Sequence, residues 1–148
     1  QALCLEITES AIMSDPQRAL QTLHALSERG YKLSIDDFGT GYSSYATLKN
    51  LPVDELKLDM SFVRAMEKDP KDAMIVRSII EVAHNLGLSV VAEGVESAKS
   101  WKLLRNLGCD EAQGYLFSRP VPPGVACDES PARPPQSPAA RMNRQRRA

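Results

Sequence analysis

The chain of 148 residues suffices for one domain of modest size, and its 43% hydrophobic and 25% charged residues are ordinary for a soluble protein. A formal net charge of -1 gives no electrostatic basis for binding a nucleic-acid polymer. No run of about 18 apolar residues offers a membrane span, and no signal peptide opens the chain. Three scattered cysteines, Cys4, Cys109 and Cys127, fit a reducing cytoplasm better than a disulfide framework or a cysteine-based metal site.

The first residue is Gln1, and strand-like sequence follows at once, so we expect a piece of something longer. Ala2–Ile7 (ALCLEI) reads as a buried strand. Ser14, ahead of Asp15 and Pro16, starts a helix in which Ala19, Leu20, Leu23 and Leu26 repeat at helical spacing, and Gly30 closes it. Tyr31–Asp37 is a second strand. A short helix over Tyr42–Asn50 ends before Pro52, and Glu55–Met60 (ELKLDM) is a third strand. Asp72–Leu86 is the clearest helix, with Ile75, Val76, Ile79, Ile80, Ala83 and Leu86 assigned to one apolar face. Leu88–Glu93 is a near-continuous apolar strand, Ala98–Leu107 a helix ended by Gly108, and Asp110–Tyr115 a last short strand.

Strand and helix thus alternate, which predicts an α/β fold with right-handed βαβ units and a parallel sheet. The polar residues favour a barrel over an open doubly wound sheet. Glu6, Asp36, Asp37, Asp59, Glu93 and Gln113 fall at or near the C-terminal ends of different strands. Barrel enzymes collect their chemistry at that face, whereas open sheets gather it at one switch point. Five strands cannot close an eight-stranded barrel, so the expectation is a partial TIM-type (β/α) barrel, about its last five units, with roughly three strands upstream. Residues 1–120 form this portion, and residues 121–148, rich in Pro, Ala and Arg, read as a disordered tail. Its Arg141, Arg144, Arg146 and Arg147 are read as solvated rather than as an anion contact.

Asp36-Asp37-Phe38-Gly39-Thr40-Gly41 carries the strongest local signal. Two carboxylates closing an apolar strand are costly unless paired or metal-bound. On a regular strand they face opposite ways, but at a strand end a turn of the chain could bring both to one site. Hard oxygen ligands suit Mg²⁺ or Mn²⁺. The competing reading is a helix cap in a solvated turn. Lys57 and Asp59 share a strand face. Lys57 is read as orienting a phosphate or the attacking water among carboxylates, against a purely structural Lys57–Asp59 pair. Glu93 is a candidate metal ligand or general base. Glu6 and Glu9 repeat the acidic theme at the first strand, and Glu96 suits a helix start. Gln113 offers an amide to substrate. His24 and His84 are assigned to helix surfaces or structural bonding, and Trp101 to helix packing.

Together EITES, DDFGTGYSS, LKLD with SFV, VVAEGVE and QGY resemble, in order and spacing, the signatures of the EAL domain family from Glu6 to about Pro120. The resemblance implies a modified TIM barrel and two-metal hydrolysis of cyclic di-GMP to linear pGpG. It also implies two Mg²⁺ or Mn²⁺ ions, a homodimer of the full-length protein and a role in bacterial cytoplasmic signalling. By this resemblance Glu6, Asp36, Asp37 and Glu93 are metal ligands, with Asp36 shared by both ions. Lys57 contacts the attacking water, and Glu93 and Gln113 belong to its network. Glu9 holds the DFGTG loop, Glu96 is an acid beside the site, and Asp59 is grouped with these supporting residues. Two ions about 3.5–4 Å apart would stabilise the attacking and leaving oxygens. The Glu-Ala-Leu signature, the family's asparagine ligand and its usual final helix are absent from the sequence. The alternative is therefore an inactive EAL domain that binds cyclic di-GMP or regulates a partner. We expect the chain alone to be inactive and poorly stable, because half a barrel exposes sheet edges.

Overall fold

A computed structural model of the protein describes residues 3–39 and 45–119. The first strand, β1 (Cys4–Thr8), passes straight into a short helix, α1 (Glu9–Ser14), whose first turn is capped by Thr8 Oγ1 accepting from Ala11 N at 3.3 Å. Sequence periodicity gave no sign of α1, because six residues cannot complete an apolar repeat. Asp15 then caps α2 (Pro16–Glu28), accepting from Arg18 N at 3.1 Å with Pro16 in the first turn. The expected start at Ser14 is thus displaced to Asp15, and Ser14 ends α1 instead.

The remaining elements are β2 (Lys32–Phe38), α3 (Tyr45–Leu48), β3 (Glu55–Leu58), α4 (Met60–Ala65), α5 (Pro70–Asn85), β4 (Ser89–Ala92), α6 (Ala98–Leu107) and β5 (Glu111–Ala112). Aspartates at 59 and 69 and Ser97 cap α4, α5 and α6 by accepting from the backbone of the first turn. Three strand ends fall short of expectation. The third strand stops at Leu58 because Asp59 already caps a helix, so Met60 belongs to α4. The fourth stops at Ala92 and the fifth spans Glu111–Ala112 alone. Residues 42–44 of the helix expected over Tyr42–Asn50, and the expected tail with its four arginines and Cys127, lie outside the described residues.

All strand pairings are parallel, and the sheet order is β1-β2-β3-β4-β5. Each strand lies beside its predecessor in the chain. A doubly wound sheet would reverse direction at a switch point, and this one does not. The order is that of consecutive β/α units in a barrel wall.

The two sheet faces differ in kind. Leu33, Ile35, Leu56, Leu58, Val90 and Ala92 join Val76, Ile80, Ala83 and Leu104 of α5 and α6 in one core. Fully burying each large aliphatic side chain contributes about 1.5–3 kcal/mol. Alternation places Lys32, Ser34 and Asp36 of β2, and Glu55 and Lys57 of β3, on the other face. Ser34, Glu55 and Lys57 are nonetheless buried. On α5 the buried stripe is Val76, Ile79, Ile80 and Ala83. Ile75, expected on that face, is 47% exposed, because it lies about 100° round the helix from Val76. Trp101 packs edge-on against Phe117, ring centres 5.4 Å apart, in keeping with its assignment to helix packing. His24 is exposed on α2, and His84 Nε2 lies 2.7 Å from Asp110 Oδ2.

Candidate metal and catalytic site

The chain solves a geometric problem at the end of β2. Regular pleating would send Asp36 and Asp37 to opposite faces. Asp37 instead takes φ 54, the left-handed region, and the β2–β3 register shifts between Ile35 and Phe38. Asp is among the few residues that tolerate this conformation. The Asp37 N–H donates to Asp36 Oδ1 at 3.1 Å. With the strand so broken, ligand oxygens of Asp36, Asp37 and Glu93 all lie within 4.8 Å of one another.

Lys57 rises from β3 into this cluster. Its Nζ lies 2.7 Å from Glu93 Oε1, 3.0 Å from Glu6 Oε1 and 3.1 Å from Asp36 Oδ1. The side chain is only 8% exposed. Burial pulls the ammonium's pKa down, but hydrogen bonds to Glu93, Glu6 and Asp36 outweigh it and hold the pKa above its ordinary value. Lys57 is therefore a fixed cation and donor near neutral pH, not a base. The structural alternative of a Lys57–Asp59 pair is replaced by these three partners. Asp59 turns away to cap α4, accepting from Ser61 N at 2.9 Å.

The structure brings Glu6, Asp36, Asp37, Lys57 and Glu93 together, though not equivalently. Glu6 reaches the group through Lys57 and is not among the three carboxylates whose oxygens lie within 4.8 Å of one another. Gln113 Nε2 donates to Glu93 Oε1, orienting that carboxylate. Glu9 is 1% exposed, and its Oε2 accepts from Gly39 N at 2.9 Å, tying α1 to the turn after Asp37. Glu96 forms an exposed ion pair with Arg64 at 2.9 Å. Sequence reasoning did not find that α4 packs against the glycines after β2 and β4. The SFV segment was its only trace, and nothing in its spacing showed which loops it would meet.

The donor set suits a divalent cation. Glu6, Asp36, Asp37 and Glu93 bring four carboxylates to a rim where Lys57 supplies one ammonium, leaving an excess of negative charge. Such crowding is costly without a counter-charge, and all-oxygen ligands select hard cations.

Fold and site together define a parallel β/α-barrel-type domain with an acidic, lysine-centred rim at the C-terminal ends of its strands. The chain belongs to the EAL domain family, whose model matches residues 1–120. Cyclic di-GMP phosphodiesterase NbdA of Pseudomonas aeruginosa is 49% identical over 118 residues, 80% of this chain and 15% of the relative. The structure of PaMucR phosphodiesterase in its c-di-GMP complex superposes with a TM-score of 0.78 at 47% identity, covering 82% of this chain and 49% of that one. A manganese/cy-diGMP complex of Klebsiella pneumoniae BlrP1 gives a TM-score of 0.74 at 38% identity, covering 79% of this chain and 30% of that one. The chain therefore has the α/β, TIM-barrel-like fold of EAL domains and spans about half of one solved relative. Against the curated relatives it spans less than a fifth, as the 17%, 15% and 19% of the first three show.

Proposed function

We propose that the protein hydrolyses cyclic di-GMP to linear pGpG with the help of divalent cations. The single observation that carries this reading is the convergence of Asp36, Asp37 and Glu93 oxygens within 4.8 Å. The Lys57 ammonium beside them strengthens it. Relatives named as cyclic di-GMP phosphodiesterases, and a relative solved with manganese and cyclic di-GMP, support the substrate and the metal class.

Asp36, Asp37 and Glu93 would hold Mg²⁺ or Mn²⁺, with Glu6 alongside; bound there, a pair of ions would neutralise charge on the attacking and leaving oxygens. Lys57, permanently charged, donates to the attacking water or to a phosphate oxygen. Glu93, oriented by Lys57 and by the Gln113 amide, receives the water's proton. Glu9 holds the turn that carries Asp37 in its left-handed conformation through Gly39. Asp59 and Glu96 support the site indirectly, through α4.

The proposal includes a homodimer of the full-length protein and a cytoplasmic setting, which the free thiols Cys4 and Cys109 support. Among the described residues no helix is long and apolar enough to cross a membrane. The chain of 148 residues by itself is expected to be inactive. The test is a turnover assay on the full-length protein with cyclic di-GMP and Mn²⁺. Release of pGpG, abolished by Asp36→Ala, is expected. Tight cyclic di-GMP binding without hydrolysis would overturn the reading in favour of a binding module.

A further inference from the structure

Strand β3 lies between β2 and β4, and the metal-competent carboxylates sit on the two outer strands' ends. Helix α4 begins directly after β3 and packs against both of the turns that follow those carboxylates. A Cβ added to Gly39 would stand 2.6 Å from Phe62 Cε2 and 2.8 Å from Phe62 Cζ. A Cβ added to Gly94 would stand 2.6 Å from Met60 Cβ. Both glycines hold positive φ, 97 and 64, so each is needed for its conformation as well as for the close approach.

The helix is itself pinned. Asp59 caps its start, and Arg64 pairs with Glu96 beyond Gly94 at 2.9 Å. Past its end, Glu67 Oε1 accepts from the hydroxyls of Ser97 and Ser100, and Lys99 Nζ donates to Glu67 O at 2.8 Å. On the other side, Glu9 grips Gly39 through its amide. The turn at Gly39 is thus held between a carboxylate on one element and an aromatic ring on another.

We propose that α4 is a spacer between the two ligand-bearing turns, with Phe62 and Met60 as positioning residues that set the separation of Asp36 and Asp37 from Glu93. The inference rests on the metal-dependent reading above. Phe62 offers no ligand atom; it acts through the backbone of Gly39, two residues beyond Asp37. Removing the ring leaves the turn free to relax and spreads the ligands. Partners of this kind typically shift metal affinity by about 10–100-fold.

The experiment uses the full-length protein and Mn²⁺ as the probe. Free Mn²⁺ is titrated by electron paramagnetic resonance, and Tm is recorded without metal. Phe62→Ala is expected to raise the Mn²⁺ Kd by about tenfold. Phe62→Leu should restore most of the affinity. Ile80→Ala, a core substitution in α5, should lower Tm at least as much and leave the Kd unchanged. Phe62→Ala that lowers Tm but keeps the wild-type Kd overturns the spacer. If Phe62→Ala does not fold, Phe62→Val, which also leaves the space beside Gly39 unfilled, decides: a raised Kd supports the spacer and an unchanged one overturns it. Wild-type protein that binds no Mn²⁺ overturns the metal reading and the spacer with it. Wild-type binding with unaltered variants overturns the spacer alone.

Discussion

The two ends of the sheet handle charge in opposite ways. At the N-terminal ends of the strands, three acids each have their own donor. Glu55 pairs with Lys32, Asp54 Oδ2 accepts from Leu33 N at 3.1 Å, and Asp110 Oδ2 accepts from Val90 N at 2.9 Å while meeting His84. At the C-terminal ends, Glu6, Asp36 and Glu93 converge on one lysine, with Asp37 close by. Matched charges join neighbouring strands and contribute to stability. An unbalanced set costs stability and is kept where charge must be met by something brought from outside. The contrast locates the site better than burial does, since Glu55 and Lys57 are both buried.

Substitutions at the two ends should therefore have separable effects. Glu93→Gln keeps an oxygen for the Gln113 amide but removes a carboxylate from the crowded rim. Turnover of cyclic di-GMP by the full-length protein should fall about 10²–10⁴-fold, with no loss of Tm in the absence of metal. A lower Tm with turnover intact would erase the distinction. Asp110→Ala should do the reverse. It leaves Val90 N–H without its acceptor and should cost about 1–3 kcal/mol in denaturant unfolding, with unchanged kcat per folded molecule.

The smallest effect concerns Lys32. Burial lowers its pKa, but the Glu55 hydrogen bond and charge outweigh this and leave it above the ordinary value. A raised folded-state pKa means that the stability gained is complete below the unfolded value of about 10.4 and is lost as pH rises through the folded value. Lys32→Met should therefore flatten the alkaline limb of the stability profile above about pH 10. Lys32 is 46% exposed, so solvent screening keeps the change small. An alkaline limb as steep in the variant as in the wild type would remove Lys32–Glu55 from the stabilising set.

Much of this was legible in the residues themselves. Alternating strands and helices declared the parallel sheet, and acids at strand ends declared the rim. A turn bringing Asp36 and Asp37 to one site was expected at the strand end, but its left-handed form at Asp37 and the β2–β3 register shift that accompanies it were not readable, because pleating alone sends adjacent acids apart. Helices α1 and α4 were missed for another reason. Each has six residues and starts directly after a strand or its last acid, so no periodic pattern builds up. Ile75 was misplaced because an apolar residue next to a buried stripe looks the same in sequence as one inside it. Glu9's role came from the resemblance alone; in the structure it is 1% exposed and its Oε2 accepts from Gly39 N.

Strand order has a further bearing on how the molecule is made. A wall laid down in chain order can be extended one unit at a time as the ribosome delivers it, each newcomer docking on a neighbour already in place. Asp36 and Asp37 emerge before Glu93, whose oxygen joins theirs only after β4 docks. On the proposed function, a cation held by these three carboxylates would be captured only after β4 is in place. In pulsed hydrogen exchange during refolding, Mn²⁺ should slow exchange only once the β4 amides are protected; earlier slowing would contradict this sequence of events.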